Sequence, residues 1–370
     1  MSLFIDFHAI HPVPPANINR DEDGSPKTTV FGGSRRARVS SQAWKRAMRH
    51  DFAAHLDDAD LGVRTLKMVE VIADRVQLAD SSVSDETAQA RAIEALTAAG
   101  IKVEKVKPRK GAEDQTEHFK TGALLFLSNP QIDALAALAA APTESIDKKD
   151  AKAVLKRGNS IDLALFGRMI ADAPDINVDA AAQVAHAIGT HAVVPEFDYF
   201  TAVDDRQSDD NAGAGMIGTV EFNTATLYRY ATVNVTALGE TLGSTEAAAR
   251  GVEAFTRSFV TSMPTGKRNT FANNTLPSFV LATVRTDQPI SFAAAFEKPV
   301  DANDRAGLSG ASIAALMREA DALYTAYDAA PAAAYVVSTR KVDDAPAGIS
   351  ITDLISKLGG EVRDRLGDDK

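Results

Sequence analysis

A chain of 370 residues with 45% apolar content can bury the core of one large domain or two ordinary ones, and its 50 acidic against 40 basic residues give a formal charge of −10. Cysteine is absent, which excludes disulfides, thiolate nucleophiles and cysteine-ligated zinc and fits a reducing, cytoplasmic location. No basic segment followed by an apolar run opens the chain and no stretch reaches membrane-spanning length, so neither a secretory signal nor a membrane partner is expected.

In chain order, residues 3–10, rich in Phe and Ile, predict a strand that Pro12, Pro14 and Pro15 should end. Residues 19–24 predict a turn, and a helix follows from about Gln42 to Leu56 with Ser40 or Ser41 as its cap. Helices are expected to about residue 100, then an exposed charged insertion over 101–120 and two helices over 123–157. Residues 160–166 predict a strand and Asp179 to Ile188 a short helix. Residues 191–217 lack simple periodicity and predict a long loop or hairpin. Thr226 to Val235 predicts a strand, Thr245 to Met263 a helix, Ser278 to Arg285 a strand, and residues 312–327 and 352–366 two closing helices. The principal elements therefore read βαββαβ, the split order of a ferredoxin-like or RNA-recognition-like α+β fold with large insertions.

Between Asp23 and Asp51 there is no acidic residue, and seven basic ones stand there: Lys27, Arg35, Arg36, Arg38, Lys45, Arg46 and Arg49. A positive island in an acidic chain suits a polyanion. Loop donors running into a helix N-terminus also suit phosphate. On the expected helix, Gln42, Lys45, Arg46 and Arg49 share one side, while Trp44, Ala47 and Met48 would face the core. A solvated amphipathic face is the simpler alternative for the helix alone. A second cationic loop, with Lys267 and Arg268, follows the 245–263 helix.

Phe197, Tyr199, Phe200 and Val203 lie in the 191–217 segment, where exposed aromatics would stack on unpaired bases; packing against their own domain is the alternative. His8, His11, His186 and His191 complete no recognisable metal spacing. Neither a phosphate-binding Walker loop nor an argued Ser-His-Asp set is present, so no metal, cofactor or catalytic residue is expected.

The blocks Asn19-Arg20-Asp21, Phe31-Gly32-Gly33, Arg35-Arg36, Arg38-Val39-Ser40-Ser41-Gln42 and Lys45 to Arg49 closely resemble the backbone subunit of the type I-E CRISPR surveillance complex (Cascade, the CasC family). The resemblance continues through Asp162 to Met169, Ala185 to Ile188, Asp198 to Asp205, Tyr228 to Ala231 and Arg268 to Ala272. It implies an RNA-recognition-like palm (residues 1–60, 159–190 and 218–370, the last with the closing helices), a helical fingers insertion (61–158) and a projecting thumb loop (191–217). It implies a non-catalytic subunit that binds CRISPR guide RNA, stacks head to tail with other copies, meets other Cascade subunits and presents the guide for pairing with target DNA. The expected RNA contacts are Arg20, Lys27, Arg35, Arg38, Ser40, Gln42, Lys45, Arg46, Arg49, Arg168, Met169, Lys267 and Arg268, and the thumb displaces bases through Tyr199, Phe200 and Val203. Ser34 stands where the family often carries lysine, and Tyr199 where tryptophan is expected. The competing expectations are a metal-dependent RNase using Asp21 or Asp23, and a protein-only scaffold.

Overall fold

The computed structural model describes residues 2–106, 118–141, 145–202, 216–342 and 345–367. The chain forms two compact units: residues 1–51, 183–234 and 255–361 make the first, and 52–182, 235–254 and 362–370 the second.

The opening elements are β1 (Phe4–Ala16), β2 (Thr28–Phe31), β3 (Ser34–Val39) and α1 (Ser41–Phe52). Next come β4 (Gly62–Thr65), α2 (Met68–Ala79), α3 (Asp85–Ala98), β5 (Val103–Val106), β6 (His118–Thr121), β7 (Leu125–Ser128), α4 (Asn129–Ala140), α5 (Lys148–Leu155) and α6 (Ile161–Phe166). The chain continues through β8 (Ala182–Val184), β9 (Ala187–Gly189), β10 (Glu196–Ala202), β11 (Met216–Asn234), α7 (Val235–Leu242) and α8 (Thr245–Thr261). It closes with α9 (Arg268–Phe271), β12 (Phe279–Arg285), α10 (Gly307–Tyr327), β13 (Ala333–Ser338) and α11 (Ile351–Gly367).

The first unit is built on a sheet whose strands run in the order β13-β12-β1-β11-β9-β3-β2. The pairings of β1 with β11 and β12, and of β9 with β11 and β3, are all antiparallel. β1 is covered on both faces, which is why its sequence does not alternate. On one face Phe7 packs against Phe255 and Phe259 of α8, with ring centroids 5.4 and 5.5 Å apart. On the other, Ile10 joins Leu281, Phe292, Phe296, Ile313 and Leu316.

Three expectations are corrected. β1 does not stop at the prolines. The Ile10 carbonyl accepts from Ser278 on the β12 side, so Pro12 and Pro14, two and four residues on, present their missing N–H to that same edge. β12 pairs with β1 only as far as Ile10, and the prolines therefore break no ladder bond there. Residues 160–166 form not a strand but α6. All of Ile161 to Leu165 are buried, and a short run buried all round carries no period to separate strand from helix. Gly167, at φ +76°, ends it. The helix expected over 179–188 is replaced by the short strands β8 and β9, and Ile188 and Gly189 pair with Tyr228 and Leu227 of β11. Long-range pairing overrides the helical preference of an alanine-rich run.

The second unit is mostly helical. Ala88, Ala92 and Ala95 on α3, together with Leu96, let it approach α2 and α4 around Ile72, Val76, Ile132 and Leu135. Ser128 and Gln131 form a capping box at the start of α4. The charged insertion contributes the β5–β6 hairpin; residues 107–117 lie outside the described residues.

Candidate nucleic-acid interface

The acid-free window splits by fate. β2 and β3 form a hairpin that pairs Val30 with Arg35 and Thr28 with Ala37. Arg35 is exposed and Arg36, its neighbour on the opposite face, is fully buried. The Arg36 guanidinium donates to the carbonyls of Gly189 (3.0 Å), Phe296 (3.0 Å) and Glu297 (3.1 Å), so this cation belongs to the fold. Arg38 donates to the Thr28 carbonyl and to His186 Nδ1 at 3.1 Å. Burial first, then the charges of Arg38 and Lys27, hold the His186 pKa below its ordinary value, which suits an acceptor imidazole. Lys27 is half-buried beside it.

Ser40 caps α1: its Oγ accepts from the Ala43 amide at 3.4 Å, and its own amide donates to Asn19 Oδ1 at 2.8 Å. It is 6% exposed, so its hydroxyl serves the helix. Along α1, Trp44 and Met48 are buried as expected, whereas Ala47 is half-exposed and lines a cleft instead of the core. Gln42 is exposed, with Lys45 and Arg49 half-buried one and two turns on. Burial lowers the Lys45 pKa.

The cleft has a volume of about 910 Å³. It gathers Arg20 from the turn after β1, Arg46 and His50 from α1, and Lys267 and Arg268 from the loop after α8, three segments remote in sequence. Asp21, Glu22 and Asp51 also line it. Asp21 Oδ1 accepts from the amides of Asp23 (3.0 Å) and Ser25 (2.9 Å), which shapes the turn that presents Arg20. Asp51 accepts from Ser258 Oγ at 2.6 Å. The cationic loop is seated by Gly266: a Cβ there would lie 2.4 Å from the Ile18 carbonyl oxygen. Lys267 takes a left-handed backbone (φ 51°) to turn the chain into α9. Arg268 donates to Asn274 at 2.6 Å and stays exposed.

Past the end of β1, β11 continues and pairs with β10, from Glu196 opposite Phe222 to Ala202 opposite Met216. The expected loop or hairpin is thus a two-stranded ribbon. Phe197, Tyr199 and Ile217 are 69%, 64% and 60% exposed and share one face. Phe200 takes the other face, where its ring covers Gly218 so closely that a Cβ there would sit 2.4 Å away. Val203 lies outside the described residues.

Arg168 and Met169 belong to the second unit. Arg168 is 4% exposed and donates to the carbonyls of Leu155, Ile176 and Phe126 and to Gln131 Oε1, with no donor left facing solvent for phosphate. Burial lowers its pKa to about 10. Met169 is 84% exposed. Among the histidines, His8 Nδ1 is hydrogen-bonded to the Tyr228 hydroxyl (3.0 Å), and its ring stacks on Phe292, 4.1 Å between centroids. His11 sits between the Arg229 guanidinium and Thr275. His191 Nε2 accepts from the Thr226 amide at 3.1 Å. No group of three or more His, Cys, Asp or Glu among the described residues is placed to hold a metal ion.

Sequence reasoning missed Arg229 and Asn17. Arg229 is buried with its guanidinium 3.6 Å from the Trp44 ring centre, so it fixes α1 from beneath. Asn17 is 1% exposed and stands two residues before Asn19 in a run of short polar side chains next to a turn, the only local signal it gave.

A family model described as CT1975-like protein matches residues 5–357. The chain belongs to this family. Its fold is similar to a chain of a structure described as "CRISPR RNA-guided surveillance complex, pre-nicking", with TM-score 0.84 and 36% identity over 97% of this chain and 100% of that one. It is also similar to a chain described as "CRISPR RNA-guided surveillance complex", with TM-score 0.72 and 32% identity over 97% and 99%. No curated protein matches. The matched residues and the structural similarity run through both units of this chain. Among the described residues no helix is long and apolar enough to cross a membrane.

Proposed function

We propose that the chain is a guide-RNA-binding backbone subunit of a type I-E CRISPR surveillance complex in the cytoplasm. In this reading β1, α1, β9, β11, α8 and β12 are the RNA-recognition-like palm, with β9 taking the place expected of residues 160–166. The 52–182 segment supplies the fingers and the β10–β11 ribbon is the base of the thumb. The observation that carries the reading is the cleft, where Arg20, Arg46, Lys267 and Arg268 converge in a chain whose whole length matches surveillance-complex subunits. Cations on loops and a helix face hold phosphates without reading bases. That leaves base edges free, so sequence is read by pairing of guide with target DNA. Copies meeting through unlike surfaces add head to tail and follow the RNA as an open filament.

The test is the salt dependence of guide-RNA binding. Replacing Arg46 and Lys267 by Ala is expected to weaken all guide sequences alike and to flatten the log–log salt slope by about 0.7 per lost phosphate contact. An unchanged slope overturns the reading of the cleft.

The subunit holds RNA without cutting it in this proposal. Complementary RNA incubated with the RNA-loaded assembly and Mg²⁺ should remain intact. A regular cleavage ladder that disappears on Asp21→Ala would establish a nuclease instead.

A further inference from the structure

We propose that Asn17 is a positioning residue that couples the cationic cleft to the β10–β11 ribbon; this rests on reading the cleft as an RNA-phosphate site. The Asn17 side chain is buried at the end of β1. Its Nδ2 group donates to two carbonyls from different segments, Gly24 at 2.9 Å and Glu221 at 2.8 Å. Gly24 closes the turn that carries Arg20 into the cleft. Glu221 lies opposite Phe197 in the ribbon, on the face where Phe197 and Tyr199 are exposed. One amide therefore bridges the part that would grip phosphate and the part that would meet bases.

The orientation of this amide is unambiguous, because both partners are acceptors and only the nitrogen can serve them. Its Oδ1 is buried with no hydrogen-bond partner. A buried acceptor left unsatisfied costs stability, so the residue is better explained by its two-way donation than by packing. The adjoining backbone extends the junction. The Ile18 carbonyl lies against Gly266, which seats the Lys267–Arg268 loop, and Asn19 Oδ1 receives the Ser40 amide at the start of α1. Phe222 at the ribbon's base meets Phe271 of α9, with centroids 5.6 Å apart. Every cationic wall of the cleft and the root of the ribbon thus meet at residues 17–19. Asn17 is the member whose side chain alone reaches both turn and ribbon.

The experiment is amide hydrogen exchange on the full chain, free and saturated with fluorescein-labelled oligouridylate, with binding followed by anisotropy. In the free chain, Asn17→Ala is expected to speed exchange over 197–200 by about tenfold and to leave 5–9 of β1 unchanged. With RNA, the wild-type ribbon gains protection. Once saturated with the oligomer, the variant shows no RNA-induced protection of the ribbon while residues 5–9 of β1 exchange as in wild type, a separation that loss of structure would not produce. Asn17→Asp, of the same shape but unable to donate, should behave like Asn17→Ala. Should Asn17→Ala unfold, Asn17→Ser, which keeps one donor, carries the same expectation of folded binding without transmitted protection. RNA-induced protection retained in Asn17→Ala or Asn17→Ser, or wild-type behaviour in Asn17→Asp, overturns the proposal. If the wild-type chain fails to bind oligouridylate, it is the RNA reading of the cleft that falls, and exchange in the free chain still decides whether Asn17 ties the ribbon.

Discussion

Arginines of this chain divide into two populations that the sequence alone does not separate. Arg36 and Arg168 are buried and donate to backbone carbonyls, whereas Arg20, Arg46 and Arg268 line the cleft. Removing a buried guanidinium leaves several carbonyls without donors. Arg36→Ala and Arg168→Ala should each cost about 3 kcal/mol in chemical denaturation while the salt slope of RNA binding in the surviving folded protein stays unchanged. Arg46→Ala should do the reverse. The sequence showed the positive window because local charge is a local property. It did not show that Arg36 turns inward while Arg35 turns outward, since that depends on which face of the β2–β3 hairpin the rest of the sheet covers. Arg168 looked like a phosphate ligand for the same reason: its acceptors come from four separate places in the chain.

At the scale of elements, the loop after α8 depends on a close approach. A side chain at Gly266 would meet the Ile18 carbonyl at 2.4 Å, a backbone atom two residues past the end of β1, with the Asn17 carbonyl close behind at 2.8 Å. Gly266→Ala is expected to displace Lys267 and Arg268, to cost about 1–3 kcal/mol of stability, and to weaken RNA binding through loss of the loop's contribution. Thermal unfolding and a binding titration on the same preparation check both effects. Elements with a strong pattern were legible: α1, α8 and β12 lie close to where the apolar periodicity places them, whereas β1 runs past its prolines to Ala16 and β11 begins at Met216, well before Thr226. Residues 160–166 and 179–188 were not, because the first is buried all round and the second is short enough for pairing with β11 to overrule its alanines. The cleft was legible as a set of cations but not as a place, since Gly266 and Asn17, which bring its walls together, carry no charge.

For the whole molecule, acidity acts on the first unit through buried groups of opposite sign. Burial, reinforced by nearby arginine charges, lowers the pKa of His8 and of His11 from 6.5 to about 3. The unfolded chain therefore takes up two protons below pH 6.5 that the folded chain refuses, and stability falls as pH drops from about 6.5 towards 3. Burial raises Asp6 from 3.8 to about 6, so the folded chain holds a proton there that the unfolded chain has released, and stability rises as pH drops through that window. Two groups outweigh one. His186 and His191, also lowered by burial, act in the same direction, so the net expectation is a loss of at least about 2 kcal/mol between pH 7 and pH 5, measured by guanidinium denaturation at both values. His11→Gln should reduce that loss, because one desolvated imidazole is then gone; a flat profile in the wild type would mean that the imidazoles are not desolvated.

β11 is one uninterrupted strand from Met216 to Asn234, paired with β1 over its second part and with β10 over its first. Because side chains alternate from one face to the other with each residue, the ribbon inherits its handed presentation from the body of the sheet. The direction in which Phe197 and Tyr199 face is therefore a matter of parity. Inserting a single residue between Phe222 and Ala225 would turn that aromatic face over while leaving both halves of the strand intact, and a second inserted residue would turn it back.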